Sequence, residues 1–286
     1  MPTTTPAPTT TITAAAAATP TPHTPRPLEG KLGIISGASR GIGASVARNL
    51  AAKGCSLVLN HTSDASAPLA AALAAELRGA HGVAAVAVQG DISTEEGCAA
   101  VVEGARGVFF GVGGGELGGR EEKGELRIDV LVNNAAVQAK AYLGDVTPDE
   151  FWRVYKINVL GTGMAGYSIY GGTKGAVEAM TRVWARELAE RATVNAVNIG
   201  PTMTDMYQDI PVEVLADVLK SWFPTAPLSA VRDADDDRMK YFADALGGRP
   251  GYPDEVAGVV AVLCLPESGW TTGGLIGANG GGRVSY

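Results

Sequence analysis

Tyr170 and Lys174 stand four residues apart in the stretch Tyr-Gly-Gly-Thr-Lys, a spacing that can make an acid catalyst. Residues four apart on a helix share one face, so the lysine ammonium lies near the tyrosine hydroxyl. A tyrosine with a pKa of ~10 donates its proton poorly at neutral pH unless a nearby cation stabilises its anion. The pair therefore predicts proton transfer to a substrate oxygen. An ordinary aromatic residue followed by a solvated charge has the same spacing, so the surrounding elements have to distinguish the two.

A glycine-rich stretch, Ser-Gly-Ala-Ser-Arg-Gly-Ile-Gly at 36–43, follows an apolar run and precedes a helical pattern. Glycine at 37, 41 and 43 lets the backbone turn tightly and approach a pyrophosphate, which is favoured by the positive field of a helix N-terminus. A structural turn is the plain alternative. Strand, loop and helix in this order favour dinucleotide binding.

The residues after the second strand bear on the identity of that dinucleotide. An acid at this position would bind the ribose hydroxyls of NAD. The strand ends instead in Asn60 and His61, and the glycine loop carries Arg40, whose guanidinium can pair with a 2′-phosphate. These residues favour NADP as cofactor, whereas Asp64 close by leaves NAD open.

The rest of the chain alternates strand and helix patterns, which predicts an α/β doubly wound parallel sheet, a Rossmann fold, in a single domain. Predicted strands lie at 32–36, 56–60, 83–89, 128–133, 193–199 and 274–279. Predicted helices begin near 42, 67 and 147, and a long one runs from about 172 to 191. The pattern after residue 253 is also helical.

Composition excludes several classes of function. The net charge of −7 argues against nucleic acid or an anionic membrane as main partner, and no apolar run reaches the ~18 residues of a membrane span. Three cysteines without ligand spacing and three histidines predict a reducing, cytoplasmic compartment and no metal. Residues 1–28, rich in Thr, Ala and Pro, predict a disordered tail; a transit peptide is the alternative, disfavoured by a single arginine and no amphipathic face.

The motifs, taken in order, resemble the short-chain dehydrogenase/reductase family, in particular bacterial 3-oxoacyl carrier-protein reductases and fungal naphthol and polyketide ketoreductases of secondary metabolism. The resemblance covers about residues 29–282. It is carried by GASRGIG (37–43), GDI (90–92), NNAA (133–136), INV (157–159), YGGTK (170–174), VNAVNIGPTMTDM (194–206) and the stretch 247–281.

The resemblance implies a role for each matching residue. Tyr170 gives a proton to the substrate oxygen of a ketone, Lys174 supports it, and Asn158 anchors a water in the proton relay. The implied partner is a small-molecule ketone or alcohol, and the implied assembly is a dimer or tetramer joined partly through the helix of Lys174. Implied cofactor-binding residues are Gly37, Ser39, Arg40, Gly41, Ile42, Gly43, Asp91, Ile92, Asn134, Thr202 and Thr204, besides the catalytic pair and the Asn60 and His61 already named.

The chain departs from the family between Asn158 and Tyr170. Only 11 residues separate the two, whereas the family places there the end of a helix, a fifth parallel strand and a catalytic serine. A parallel crossover needs about a dozen residues besides the strand of ~5. The sequence therefore predicts a deletion between 160 and 169 that removes the central strand. Ser168, two positions before Tyr170, is not expected to replace the serine.

A second departure is a surplus of glycine-rich sequence at about 107–125. A gain and a loss in one chain suggest a transcript with one intron retained and one exon skipped, or a pseudoenzyme that binds nucleotide without turnover. The segment 218–247 lies where the family has its substrate lid. There Trp222, Phe223 and Tyr241 either cover a substrate or pack internally, and the acidic residues 233–237 predict a solvated face.

Overall fold

The computed structural model describes residues 26–109, 126–137, 147–149, 168–219 and 222–282, and only the backbone of residues 109, 168–171, 206, 217 and 218. Strands are β1 (Leu32–Ile35), β2 (Ser56–His61), β3 (Ala85–Gln89), β4 (Val130–Val132), β5 (Ala196–Ile199) and β6 (Leu275–Ala278). Helices are α1 (Gly41–Ala52), α2 (Ala67–His81), α3 (Glu95–Phe109), α4 (Ser168–Glu187), α5 (Asp205–Gln208), α6 (Val212–Leu219), α7 (Asp237–Leu246) and α8 (Pro253–Leu263).

The first four strands form a parallel sheet in the order β3-β2-β1-β4, with β1 pairing β2 on one side and β4 on the other. Side chains alternate between its faces, as the strand period of two requires. Ile35 packs into the core beneath α1, α2 and α8, whereas Leu32 and Ile34 pack against α3. Helices thus cover both faces, which confirms the predicted doubly wound architecture and explains why β1 and β2 are buried over their whole length.

A second parallel pair, β5 and β6, follows in the C-terminal half. Among the described residues no strand joins β4 to β5, and Leu131 of β4 is 62% exposed. The family's central strand would occupy this interval. The predicted deletion at 160–169 lies almost wholly outside the described residues, so the loss of that strand stays a prediction.

Several predicted boundaries shift. Leu28, placed in the tail, is 2% exposed and joins the core, and its N–H donates to the carbonyl of Lys53 at 2.9 Å. The tail therefore ends earlier than predicted, because an apolar side chain at its end reaches the groove beside α1. Helix α3 continues to Phe109, so the first three residues of the predicted insertion are helical, and residues 110–125 lie outside the described part.

Between β5 and α8 the chain forms a helical segment, residues 203–250, with its own apolar cluster. Six buried side chains make up that cluster: Tyr207, Leu215, Leu219, Phe223, Phe242 and Leu246. The ends of the segment meet, because Thr202 bridges Gly251 and the Gly251 N–H donates to Pro201 at 2.8 Å. Phe223 is an internal packing residue at 1% exposure, whereas Tyr241 is 59% exposed.

The predicted solvated acidic face at 233–237 is wrong for Asp235. Its side chain is 2% exposed and lies 3.7 Å from the Nε of Arg249, itself 4% exposed. Arg249 also donates two hydrogen bonds to Glu255, at 2.8 and 3.0 Å, and Arg232 reaches the same carboxylate at 2.9 Å. Arg232, three residues earlier, donates to the carboxylate of Asp235 at 3.3 Å, but the buried cation beside it, Arg249, comes fourteen residues later and is not shown by local spacing.

Candidate functional site

The carboxyl ends of the first strands converge on the glycine loop, residues 36–43. The N–H of Ser36 donates to Val132 at the end of β4, and the N–H of Ala38 donates to Asn60 at the end of β2. Open parallel sheets bind ligands in the crevice at this edge. The sequence prediction therefore put its glycine loop at the correct edge of the sheet.

The loop is fastened to β4 by a pair of polar side chains. The Nδ2 of Asn134 donates to the carbonyls of Ser36 at 2.9 Å and Gly37 at 3.1 Å. In return the Oγ of Ser36 accepts from the N–H groups of Asn134 and Ala135, at 3.0 and 3.1 Å. Asn134, predicted to lie along the cofactor, thus holds the shape of the loop. Ser36 was missed, although a polar residue closing a buried apolar strand was the available signal.

Glycine is required at two positions of this loop. Gly37 has a φ of 62°, in the left-handed region, and a Cβ there would lie 2.9 Å from the Cα of Ala135. A Cβ on Gly43 would lie 2.5 Å from the carbonyl oxygen of Gly37 and 2.6 Å from the Nδ2 of Asn134. No side chain can therefore be added at 43 without moving the loop or breaking its link to Asn134.

We expect Gly43→Ala to lower the free energy of unfolding by about 1–3 kcal/mol, the usual cost of forcing a methyl group into a packed site. Urea denaturation followed by circular dichroism measures it. Gly79→Ala is the matched control, because Gly79 is exposed within α2 and a Cβ there meets nothing. That control should gain about 0.5–1 kcal/mol. Equal stabilities for the two variants would contradict the packing described here.

The side chain of Arg40 extends from the glycine loop into solvent. Its Nη1 lies 3.7 Å from the Oδ2 of Asp205, and the two side chains are 63% and 58% exposed. Thr204 caps α5 through its Oγ1, which accepts from the N–H of Tyr207 at 3.3 Å, and its methyl lies 3.4 Å from where a Cβ on Gly41 would be. The segment after β5 therefore packs against the loop, as the resemblance implies. Asp205 was missed, although an acid in a first helical turn was visible.

Thr202, the other predicted residue of this segment, is 6% exposed, and its Oγ1 donates to the carbonyl of Gly200 at 2.9 Å. It supports the turn between β5 and α5. Ser39 and Ile42 lie on the loop between the residues already described.

The residues that end β2 are buried. Asn60 is 0% exposed, and its Nδ2 donates to Gly90 at 2.9 Å, while its Oδ1 has no hydrogen-bond partner. His61 is 5% exposed with Nδ1 3.2 Å from the carbonyl of Ser63. Asp64, which left NAD open, accepts a hydrogen bond from Gln89 at 2.9 Å. Within this group of predicted nucleotide contacts, only Arg40 is therefore an exposed cation.

Asp91 and Ile92 form the turn between β3 and α3. The Oδ1 of Asp91 accepts from the N–H of Ser93 at 2.9 Å, and its carbonyl accepts from the N–H of Thr94. The thiol of Cys98 lies 3.4 Å from the carbonyl of Ile92. This turn lies at the carboxyl end of β3, beside Gly90 and the buried Asn60. The adenine contact of Asp91 and Ile92 stays a prediction.

Helix α4 carries the predicted catalytic pair. Tyr170 and Lys174 are one turn apart on its backbone, so the two positions share a face. Lys174 is half-buried, and burial lowers the pKa of its ammonium below the usual 10.5. Ser168 begins the same helix. Residues two apart on a helix do not face each other, so the position of Ser168 is not on the face that Tyr170 and Lys174 share. Asn158 and the Tyr170 side chain lie outside what the structure describes.

A separate cavity of about 570 Å³ opens between α1 and α8, and none of its lining residues is a predicted site residue. Its two arginines already pair with acids, Arg48 with Glu76 and Arg232 with Glu255. In the part of the chain described, no group of histidine, cysteine and acidic residues could hold a metal ion. Over the same residues, no helix is both long and apolar enough to cross a membrane.

Two protein-family models match this chain. Residues 31–165 match the family model described as short chain dehydrogenase, and residues 160–236 match the one described as enoyl-(acyl carrier protein) reductase. An L-xylo-3-hexulose reductase of Hypocrea jecorina is 40% identical, with 91% of this chain and 99% of the relative covered. An L-xylulose reductase of Aspergillus niger is 36% identical over 90% of this chain and 98% of the relative.

The solved structures include the angucycline C-6 ketoreductase LanV with bound NADP, which is 26% identical with a TM-score of 0.69 and covers 91% of this chain and 98% of its own. The alignment with the Hypocrea jecorina reductase runs over 306 positions, more than the 286 residues of this chain. That relative therefore contains residues that have no counterpart here.

Proposed function

Since this chain belongs to the short-chain dehydrogenase/reductase family, we propose that it is an NADPH-dependent reductase that converts the carbonyl of a small ketose to an alcohol. The observation that carries the proposal is the glycine loop fastened to Asn134 with Arg40 exposed beside it. Two relatives, 40% and 36% identical, are named as reductases of ketose sugars, which supports this substrate class over an aromatic polyketide.

The loop fits a dinucleotide on its own geometry. The first N–H groups of α1 have no partner within the helix and face the crevice at the end of β1. Gly37 and Gly43 let the loop pack closely against Asn134 and Ala135, since a Cβ on either glycine would clash with protein atoms. Arg40, exposed at the N-terminus of α1, is the proposed partner of the 2′-phosphate, which favours NADPH over NADH. The remaining predicted contacts with Asp91, Ile92, Thr202 and Thr204 belong to the same proposal.

The chain's own residues would handle the proton. A bound nicotinamide supplies hydride to the carbonyl carbon, and the developing alkoxide then requires a proton. Tyr170 holds that proton at its phenol oxygen, Lys174 stabilises the phenolate left behind, and Asn158 holds the water through which the proton is replaced. The buried position of Lys174 supports this role, because a desolvated ammonium acts more strongly on a neighbouring phenol.

The absence of the family's catalytic serine is expected to lower the reaction rate. In the family that hydroxyl hydrogen-bonds the substrate carbonyl, and losing such a donor typically costs about 10²–10³ in rate. Two observations support the proposed deletion: the two family matches meet at 160–165, and Leu131 on β4 is far more exposed than a central strand allows. A pseudoenzyme that binds nucleotide without turnover is therefore the second candidate function.

The assembly and compartment are proposed from the same structure. Val183 and Trp184 on α4 are 51% and 38% exposed, which supports a homo-oligomer joined through this helix. All three cysteines are free, which supports a reducing compartment such as the cytoplasm.

Purified protein is expected to bind NADPH, observed as quenching of tryptophan fluorescence, and to oxidise it when L-xylulose or L-xylo-3-hexulose is added. NADH should bind more weakly. NADPH binding without oxidation across a panel of ketoses and aromatic ketones would replace the reductase by the pseudoenzyme. Protein that aggregates or shows no cooperative unfolding would indicate a product of faulty splicing, and sequencing of the messenger RNA would then reveal a retained intron and a skipped exon.

A further inference from the structure

Arg40 has two anions competing for one guanidinium. In the structure it lies 3.7 Å from Asp205, at the surface between the glycine loop and α5. Its backbone is the extended N-cap of α1, and its side chain is 63% exposed beside the glycine loop. In the proposed function the same guanidinium receives the 2′-phosphate of NADPH.

Asp205 is held in place opposite Arg40. It is the first residue of α5, directly after Thr204, which caps that helix and packs near Gly41. Behind them Thr202 is bound to Gly251, and the N–H of Met203 donates to the same glycine at 2.9 Å. These contacts hold the backbone of Asp205 close to the glycine loop, so its carboxylate stays within reach of Arg40.

An exposed ion pair of this kind is weak, because solvent screens both charges. A phosphate monoester carries a charge of about −1.5 to −2 at pH 7 and offers three acceptor oxygens, so it pairs with arginine more strongly than a single carboxylate does. The 2′-phosphate can thus displace Asp205 from Arg40, but the attraction between Arg40 and Asp205 has to be overcome.

We infer that Asp205 is a specificity-determining residue, which competes with the 2′-phosphate for Arg40 and so weakens the preference for NADPH over NADH. The inference rests on the proposed function. It also joins cofactor binding to the helical segment 203–250, because the pair links the glycine loop to α5 in the absence of nucleotide and is broken in its presence.

The test is a fluorescence titration of NADPH and of NADH into wild type, Asp205→Asn and Asp209→Asn at low ionic strength. Asp209 is the matched control, since it is an exposed acid four residues further along and removes the same charge. We expect Asp205→Asn to lower the Kd for NADPH about two- to fivefold, the range that exposed ion pairs give, with less than a twofold change for NADH. Asp209→Asn should change neither, and 0.5 M NaCl should remove most of the gain.

A double-mutant cycle separates competition at Arg40 from a general effect of charge. In an Arg40→Ala background the Asp205→Asn change should no longer tighten NADPH binding. Equal tightening in both backgrounds, or none in either, would overturn the inference while leaving the proposed function standing. If the wild type bound neither nucleotide, the proposed function would fail, and this inference would fail with it.

Discussion

Replacing Tyr170 with phenylalanine is expected to lower kcat/KM for ketose reduction by about 10²–10⁴, the range for loss of a general acid. The proposed reaction leaves an alkoxide that needs a proton, and Tyr170 lies one helical turn from a lysine whose ammonium is half-buried. Phenylalanine keeps the ring and removes only the hydroxyl. The Kd for NADPH should therefore stay within about twofold of the wild-type value, because the nucleotide contacts made outside this hydroxyl are unchanged.

Steady-state oxidation of NADPH measures the rate, and a fluorescence titration measures the binding. Tyr241→Phe is the matched control, since it removes the same hydroxyl from a residue that is 59% exposed on α7 and takes no part in the proposed proton transfer. Activity in Tyr170→Phe equal to that in Tyr241→Phe would remove Tyr170 from the mechanism.

The pH dependence of the same reaction tests Lys174. Burial disfavours its charged form, so its pKa lies below 10.5 and the ammonium loses its proton at a lower pH than an exposed lysine does. The alkaline limb of kcat/KM should accordingly begin below pH 10.5. An activity that does not decline before that pH would contradict the role given to the ammonium.

Arg249→Met should lower the free energy of unfolding at pH 7 by about 3–5 kcal/mol, as expected when one partner of a buried ion pair is removed. The variant removes the buried guanidinium beside the almost fully buried Asp235, leaves that carboxylate only the half-exposed Arg232, and frees one side of Glu255. Urea denaturation at neutral pH measures the loss. Arg238→Met is the control, because Arg238 is exposed on the neighbouring helix α7, and it should change stability by less than about 0.5 kcal/mol.

The same ion network predicts how stability depends on pH. The hydrogen bonds from Arg249 lower the pKa of Glu255 from 4.5 to about 2. A depressed carboxyl pKa contributes stability above pH 4.5, and that contribution is lost as the pH falls from 4.5 towards 2. In Arg249→Met much of this contribution is already gone, so the gap between variant and wild type should narrow over this range. Parallel curves would show that the arginine does not act through these carboxylates.

Much of the fold follows from local patterns. The runs Leu32–Ile35 in β1 and 57–59 in β2 are apolar on both faces, which is typical of strands covered on both sides. The glycines at 37 and 43 mark a loop where the backbone must approach something closely. Helix α4 was also predicted, although it begins four residues before the predicted start. These features are determined by residues that are close together in the sequence, so local patterns are enough to predict them.

The misses depend on partners distant in sequence. Leu28 ends a stretch of tail-like composition, but it packs against residues near Lys53. Asp235 belongs to an acidic run, but it is buried beside Arg232 and the more distant residue Arg249. Ser36 and Asn134 are almost a hundred residues apart, and their mutual hydrogen bonds follow only once β1 and β4 are known to be adjacent. For the site itself, the loop and the catalytic spacing could be predicted, whereas the pairing of Arg40 with Asp205 could not.

The bridge between Thr202 and Gly251 means that the helical segment departs from the sheet and returns to it at one place. The two ends of the segment are therefore neighbours, and the segment has its own small apolar core around Tyr207 and Phe223. The segment nevertheless contacts the rest of the domain at both ends, because Asp205 pairs with Arg40 of the glycine loop and Arg249 pairs with Glu255 of α8. A transplant of residues 203–250 between related reductases would therefore have to keep these two residues for the loop and α8 to retain their contacts.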